Sequence, residues 1–136
     1  MHKSGVEMKS FRGSSRILIN GKITAAAAEE LAAWLKLRPF CGLPPKPETV
    51  TGKDWEKKIA GRTGIIFFKD YWQRDGESEG NRSGDHIDLW NGSRLTASGL
   101  RGALTTFARF SIGISHISHV YSDLSESRQI LFWEVK

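Results

Sequence analysis

One stretch of the chain is apolar without interruption and several others alternate. Residues 64–68, Gly-Ile-Ile-Phe-Phe, form a continuous β-branched and aromatic run, which predicts a strand buried on both faces. Residues 86–90, His-Ile-Asp-Leu-Trp, alternate with period two and run into Asn91-Gly92. That pattern predicts a hairpin whose return strand covers residues 93–96. Residues 129–135 alternate and predict a closing strand. Residues 14–19 end in Ile17-Leu18-Ile19 before a second turn pair, Asn20-Gly21, predicting an early strand and tight turn.

Leu31, Trp34 and Leu35 recur at helical spacing with Ala27 and Ala28, predicting an amphipathic helix over 25–37 with Thr24 as its N-cap. Pro39, Pro44, Pro45 and Pro47 predict an extended loop over 38–50, since proline removes donors and disfavours helical geometry before it. Thr51 and Asp54 have the spacing of a capping box with Asp in the Glu position, opening a short helix that Gly61 ends. Apolar positions 100, 103, 104, 107 and 108 predict another helix over 100–110, and the polar stretch 73–84 reads as a loop. His2-Lys3-Ser4-Gly5 has the pattern of a last helical turn and its C′ glycine. It predicts a chain that begins partway through a domain, and it also fits a frayed terminus with an incidental glycine. Strands clustered late in the order favour an α+β domain with an antiparallel sheet over alternating βαβ units.

Composition narrows the class. At 136 residues, with 39% hydrophobic positions, five Trp and seven Phe, the chain holds material for one packed domain, which excludes wholesale disorder. No apolar run approaches the roughly 18 to 20 residues that span a bilayer, and the N-terminus lacks the pattern of a cleaved signal. The net charge of +5 suits nucleic acid, anionic lipid, an acidic wall polymer or simple solubility. Lys and Arg are spread along the whole chain and no aromatic-rich RNA motif accompanies them, which counts against a nucleic-acid partner. The single cysteine, Cys41, excludes an internal disulfide and a Cys-rich metal site.

Histidine carries the remaining chemistry. His86 opens a strand beside Gly84 and Asp85, where imidazole is held firmly enough to transfer protons near neutral pH. The same residue also reads as a surface histidine paired with Asp85 or Asp88. His116 and His119 stand three apart, a spacing that binds metal on a helix, but only Asp123 stands near them, and solvated histidines fit as well. No metal and no cofactor is expected.

Residues 61–72 (Gly-Arg-Thr-Gly-Ile-Ile-Phe-Phe-Lys-Asp-Tyr-Trp), and 83–95, which contain Gly-Asp-His-Ile-Asp-Leu-Trp-Asn-Gly, resemble the fourth family of type VI secretion amidase effectors. Residues 29–35, 122–124 and 130–133 extend the resemblance over most of the chain. It implies an NlpC/P60, papain-like fold and an antibacterial toxin that passes from the producer's cytoplasm into a target cell's periplasm. The implied substrate is the peptidoglycan stem peptide, cut between D-glutamate and diaminopimelate. The implied partners are a cognate immunity protein and the secretion machinery.

In such enzymes a cysteine thiolate at a helix N-terminus attacks the carbonyl, a strand histidine is the base and a third polar group orients it. The resemblance maps the histidine onto His86. For the orienting group Asp88 lies two along on the same strand face and Asp85 is adjacent. The family nucleophile belongs to an Asn-x-Cys-Ala-x-Arg motif at the start of the first core helix, and this chain has no such motif. The expectation is therefore a single domain over 1–136, incomplete at its N-terminus, without the nucleophile and inactive as it stands. The alternative is a non-catalytic remnant that binds wall fragments or an immunity protein. Cys41 keeps the Cys-before-His order and is the one candidate nucleophile in the chain, but Pro44 and Pro45 leave no room behind it for an activating helix. It also reads as a small loop residue.

Overall fold

The computed structural model describes residues 7–73, 76–96 and 124–136. Its elements run β1 (Arg16–Ile19), β2 (Lys22–Ala25), α1 (Ala28–Lys36), β3 (Glu48–Thr49), α2 (Trp55–Lys58), β4 (Thr63–Trp72), β5 (Gly84–Asn91) and β6 (Gln129–Glu134). The described residues are α+β with every strand pair antiparallel: β1 and β2 form a hairpin, and a four-stranded sheet has the order β3-β6-β4-β5.

The uninterrupted apolar run becomes β4, which has neighbours on both sides and is covered on both faces. Ile66 and Phe68 point to one face, where Ile130 and Phe132 of β6, Trp90 of β5 and Trp55 and Ile59 around α2 form one core cluster. Ile65 and Phe67 point to the other face, against Leu131, Trp133 and the α1 residues Ala32, Trp34 and Leu35. Trp55 meets Phe68 and Trp90 edge-on, with ring centroids 5.0 and 5.4 Å apart. Two of the buried indoles donate hydrogen bonds: Trp90 to the Ile59 carbonyl and Trp34 to the Ser10 hydroxyl, each at 3.0 Å. Burial of this kind stabilises by about 1.5–3 kcal/mol for each large apolar side chain.

The early part departs from the pattern. The helix expected from residue 25 starts at Ala28, and Thr24 lies in β2, because Asn20 and Gly21 take φ of 50 and 73° and turn the chain into a second strand. Both central residues of that turn are left-handed, which is the geometry that matches strand twist. Ser15 replaces Thr24 at the helix start: its hydroxyl accepts the Ala27 N–H at 3.1 Å and donates to Glu30 at 2.5 Å. The capping box at Thr51 does not form. Asp54 makes no side-chain cap bond, and the Thr51 hydroxyl instead accepts the Ile130 N–H at 2.9 Å. The proline-rich stretch is not wholly a loop, since Glu48 and Thr49 pair with Phe132 and Leu131 as an edge strand. The helix expected over 100–110 and residues 2–5 lie outside the described residues.

Glu30 gathers both serines. It accepts from the backbone N–H and hydroxyl of Ser14 and of Ser15, which hold its carboxyl down at about 2. A depressed folded value means the contribution is full above pH 4.5 and is lost as pH falls toward about 2. Wild-type melting temperature should therefore drop across that window. Glu30→Gln should flatten the drop, and an unchanged acid limb in the variant would refute the assignment.

Candidate active site

Among the described residues β5 is the last strand of the sheet, bridged on its outer side by Leu95 at Trp90, and its two faces alternate. His86, Asp88 and Trp90 share the face of Phe68, and Ile87 packs on the other. The His86 ring stacks on Phe68 with centroids 6.2 Å apart and 25° between planes, and it meets Tyr71 at 6.2 Å and 67°. Its Nε2 stands 3.9 Å from Asp88 Oδ2, and their side chains are only 16% and 9% exposed.

Asp88 is the better placed of the two flanking carboxylates. Its Oδ1 accepts the Leu89 N–H at 2.7 Å and the Thr96 hydroxyl at 2.9 Å. Burial pushes its carboxyl up. His86, the Leu89 N–H and the Thr96 hydroxyl together outweigh that push and leave it below the ordinary range. The carboxylate therefore stays ionised beside the imidazole, as an orienting group must. Asp85 faces the other way: its Oδ1 accepts the Asp70 N–H at 2.9 Å, and burial raises its carboxyl.

Cys41 is exposed and stands at the other end of the sheet. Its neighbour Gly42 lies against Val135 and Lys136, while His86 is in register with Phe68 and, across it, Ile130. Five residue steps lead from Ile130 to Val135, about 17 Å at about 3.3 Å each. The structure brings His86 and Asp88 together and does not bring Cys41 to them.

Thr96, Phe68 and Tyr71 are the site residues that sequence patterning did not single out. Asn91-Gly92 was expected as a tight two-residue turn, but the return meets β5 only at the bridge Trp90↔Leu95. Asn91 Oδ1 instead caps a wider turn by accepting the Ser93 and Arg94 N–H groups at 3.3 and 3.1 Å. That wider turn sets Thr96 beside Asp88. Among the described residues no group of His, Cys, Asp and Glu is arranged to hold a metal ion, and none of their helices is long and apolar enough to cross a membrane. His116 and His119 lie outside the described residues.

A strand histidine beside a buried, ionised carboxylate is an arrangement that suits a general base and its orienting group. Over residues 1–133 the chain matches the family described as type VI secretion system (T6SS), amidase effector protein 4 (Tae4). It belongs to that family of T6SS amidase effectors. No curated protein and no solved structure matches it.

Proposed function

We propose that His86 and Asp88 are the base and the orienting group of a thiol amidase site for peptidoglycan, on an NlpC/P60-type scaffold. The scissile bond is the stem-peptide amide between D-glutamate and diaminopimelate. The observation that carries the reading is the buried His86–Asp88 pair, with Asp88 held ionised, in a chain of the amidase effector family. In such a site the imidazole takes the thiol proton, the thiolate adds to the carbonyl carbon, and the C–N bond breaks as the imidazolium protonates the leaving amine. Water then attacks the thioester, giving its proton to the imidazole, and the thiol is restored. Asp88 keeps one ring nitrogen fixed and stabilises the imidazolium.

Cys41 adjoins Gly42 at the Val135 end of the sheet, about 17 Å along the strand direction from the level of His86, too far to share a proton with it. On this reading the 136-residue chain does not turn over alone, and binding of wall fragments or of an immunity protein is what its surface retains. Delivery from the producer's cytoplasm to a target cell's periplasm, and blockade there by an immunity protein, follow from the effector role.

Incubation of the chain with purified peptidoglycan should release no soluble muropeptides. Release that vanishes in both Cys41→Ala and His86→Ala would make Cys41 the nucleophile and overturn the reading of this chain as inactive.

A further inference from the structure

β4 carries an irregularity beside the histidine. Phe68 is in register with His86 and Trp72 with Gly84, so Lys69, Asp70 and Tyr71 all stand opposite the one residue Asp85. Two extra residues make a bulge, a device that re-aims side chains next to reactive groups. Asp70 sits at its apex with φ of 52°, a left-handed conformation that needs support in a residue other than glycine.

The support is specific. The Asp70 N–H goes to Asp85 Oδ1 at 2.9 Å, and Asp70 Oδ2 lies 3.4 Å from the Arg128 guanidinium. The Arg128 N–H donates to the Lys69 carbonyl at 3.0 Å, and Arg82 reaches the Tyr71 carbonyl at 3.4 Å while holding the Glu126 carbonyl at 2.9 Å. Each bulge residue is thus tied down from outside β4. The next ring along, Tyr71, is buried and meets the His86 imidazole edge-on. Asp85 is the chain neighbour of His86, yet strand alternation turns its side chain away from the ring and onto the bulge, where it accepts the Asp70 N–H.

We propose that Asp85 is a positioning residue for His86: by holding the Asp70 N–H it fixes the bulge that sets the Tyr71 ring against the imidazole. This inference rests on the reading of His86 as the base. Its role is geometric. A carboxylate at 85 spends its acceptor on the backbone, and Asp88 spends its own on Leu89, Thr96 and the imidazole.

The test is NMR of the whole chain, following the His86 ring protons and the Tyr71–His86 nuclear Overhauser contact. Asp85→Ala should move the His86 ring signals and lose that contact. Asp85→Asn should preserve both, because the amide oxygen still accepts the Asp70 N–H, and since both variants lose the charge the comparison isolates the hydrogen bond. An Asp85→Ala protein with wild-type ring signals, or an Asp85→Asn protein that behaves like Asp85→Ala, overturns the proposal. Should Asp85→Ala fail to fold, Tyr71→Leu carries the test: it must shift the His86 ring signals, and unchanged signals overturn the proposal. Failure of the base reading would show elsewhere, as muropeptide release that survives His86→Ala once a cysteine thiol is supplied to the site, with these ring signals still diagnostic of Asp85.

Discussion

Gly64→Ala is expected to destabilise the protein by about 3 kcal/mol or more, the upper end of what overpacking a well-filled core costs. Gly64 lies in β4 between Glu134 of β6 and Trp90 of β5. A Cβ there would collide with the Trp133 carbonyl oxygen and stand 2.8 Å from two carbons of the Phe132 ring. Neither neighbour can give way. The carbonyl belongs to the sheet backbone, and Phe132 is fully buried with the Arg62 guanidinium 5.0 Å from its ring centre. Arg62 is itself fixed by Glu48 at 2.7 Å and Glu134 at 2.9 Å, which ties β3 and β6 to the start of β4. Gly61→Ala is the control, because Gly61 has φ of 76° but open space around it, so only backbone strain of about 1–2 kcal/mol applies. Urea denaturation of both variants decides the matter: a Gly64→Ala midpoint no lower than that of Gly61→Ala would show that the sheet tolerates the extra carbon.

The large strands were legible because their side chains have no choice of environment. A run such as Ile65-Ile66-Phe67-Phe68 can be satisfied only by a strand covered on both faces, and Ile130-Leu131-Phe132-Trp133 of β6 follows the same logic. The small elements were not legible, since tertiary partners decided them. β3 is two residues long in a proline-rich stretch and exists because β6 offers an open edge. Thr51 has the right spacing for a cap, but the Ile130 N–H needed an acceptor and took its hydroxyl. At Ala27 the reverse happened: a helix start with no useful side chain of its own borrowed Ser15 from the hairpin.

The site divides along the same line. Strand alternation alone puts His86 and Asp88 on one face, so their pairing was readable from the string His-Ile-Asp. The separate duties of Asp85 and Asp88 were not, because they depend on which backbone N–H each carboxylate reaches. The bulge was hidden as well: Lys69-Asp70-Tyr71 contains no glycine to announce a left-handed residue, although Asp tolerates that conformation better than most. What the structure adds to the sequence is therefore the second layer around the histidine, meaning Thr96 behind Asp88, Phe68 beneath the ring, and the tethered bulge that supplies Tyr71.

Removing that histidine should be felt first at Asp88. Burial is the largest influence on the Asp88 carboxyl and raises it, while His86 leads the groups that lower it. In His86→Ala the burial remains and the strongest opposing partner is gone, so the carboxyl must titrate at higher pH than in wild type. Its folded value in wild type lies below 3.8, so its contribution to stability is complete above that pH and is lost as pH falls through the folded value. The variant should therefore lose less stability on acidification through this carboxyl than wild type does, and the carbon-13 shift of the Asp88 carboxyl reports the titration directly. The same substitution carries the largest functional effect. With a cysteine thiol supplied to the site, His86→Ala should cut muropeptide release by about 100- to 10,000-fold, the range associated with loss of a positioned base. Asp88→Asn should lie between wild type and His86→Ala, because the amide can still accept from Leu89 and Thr96 but cannot stabilise the imidazolium. An Asp88 carboxyl that titrates identically in wild type and His86→Ala would mean that the two side chains do not interact. The orienting role would then pass to another group.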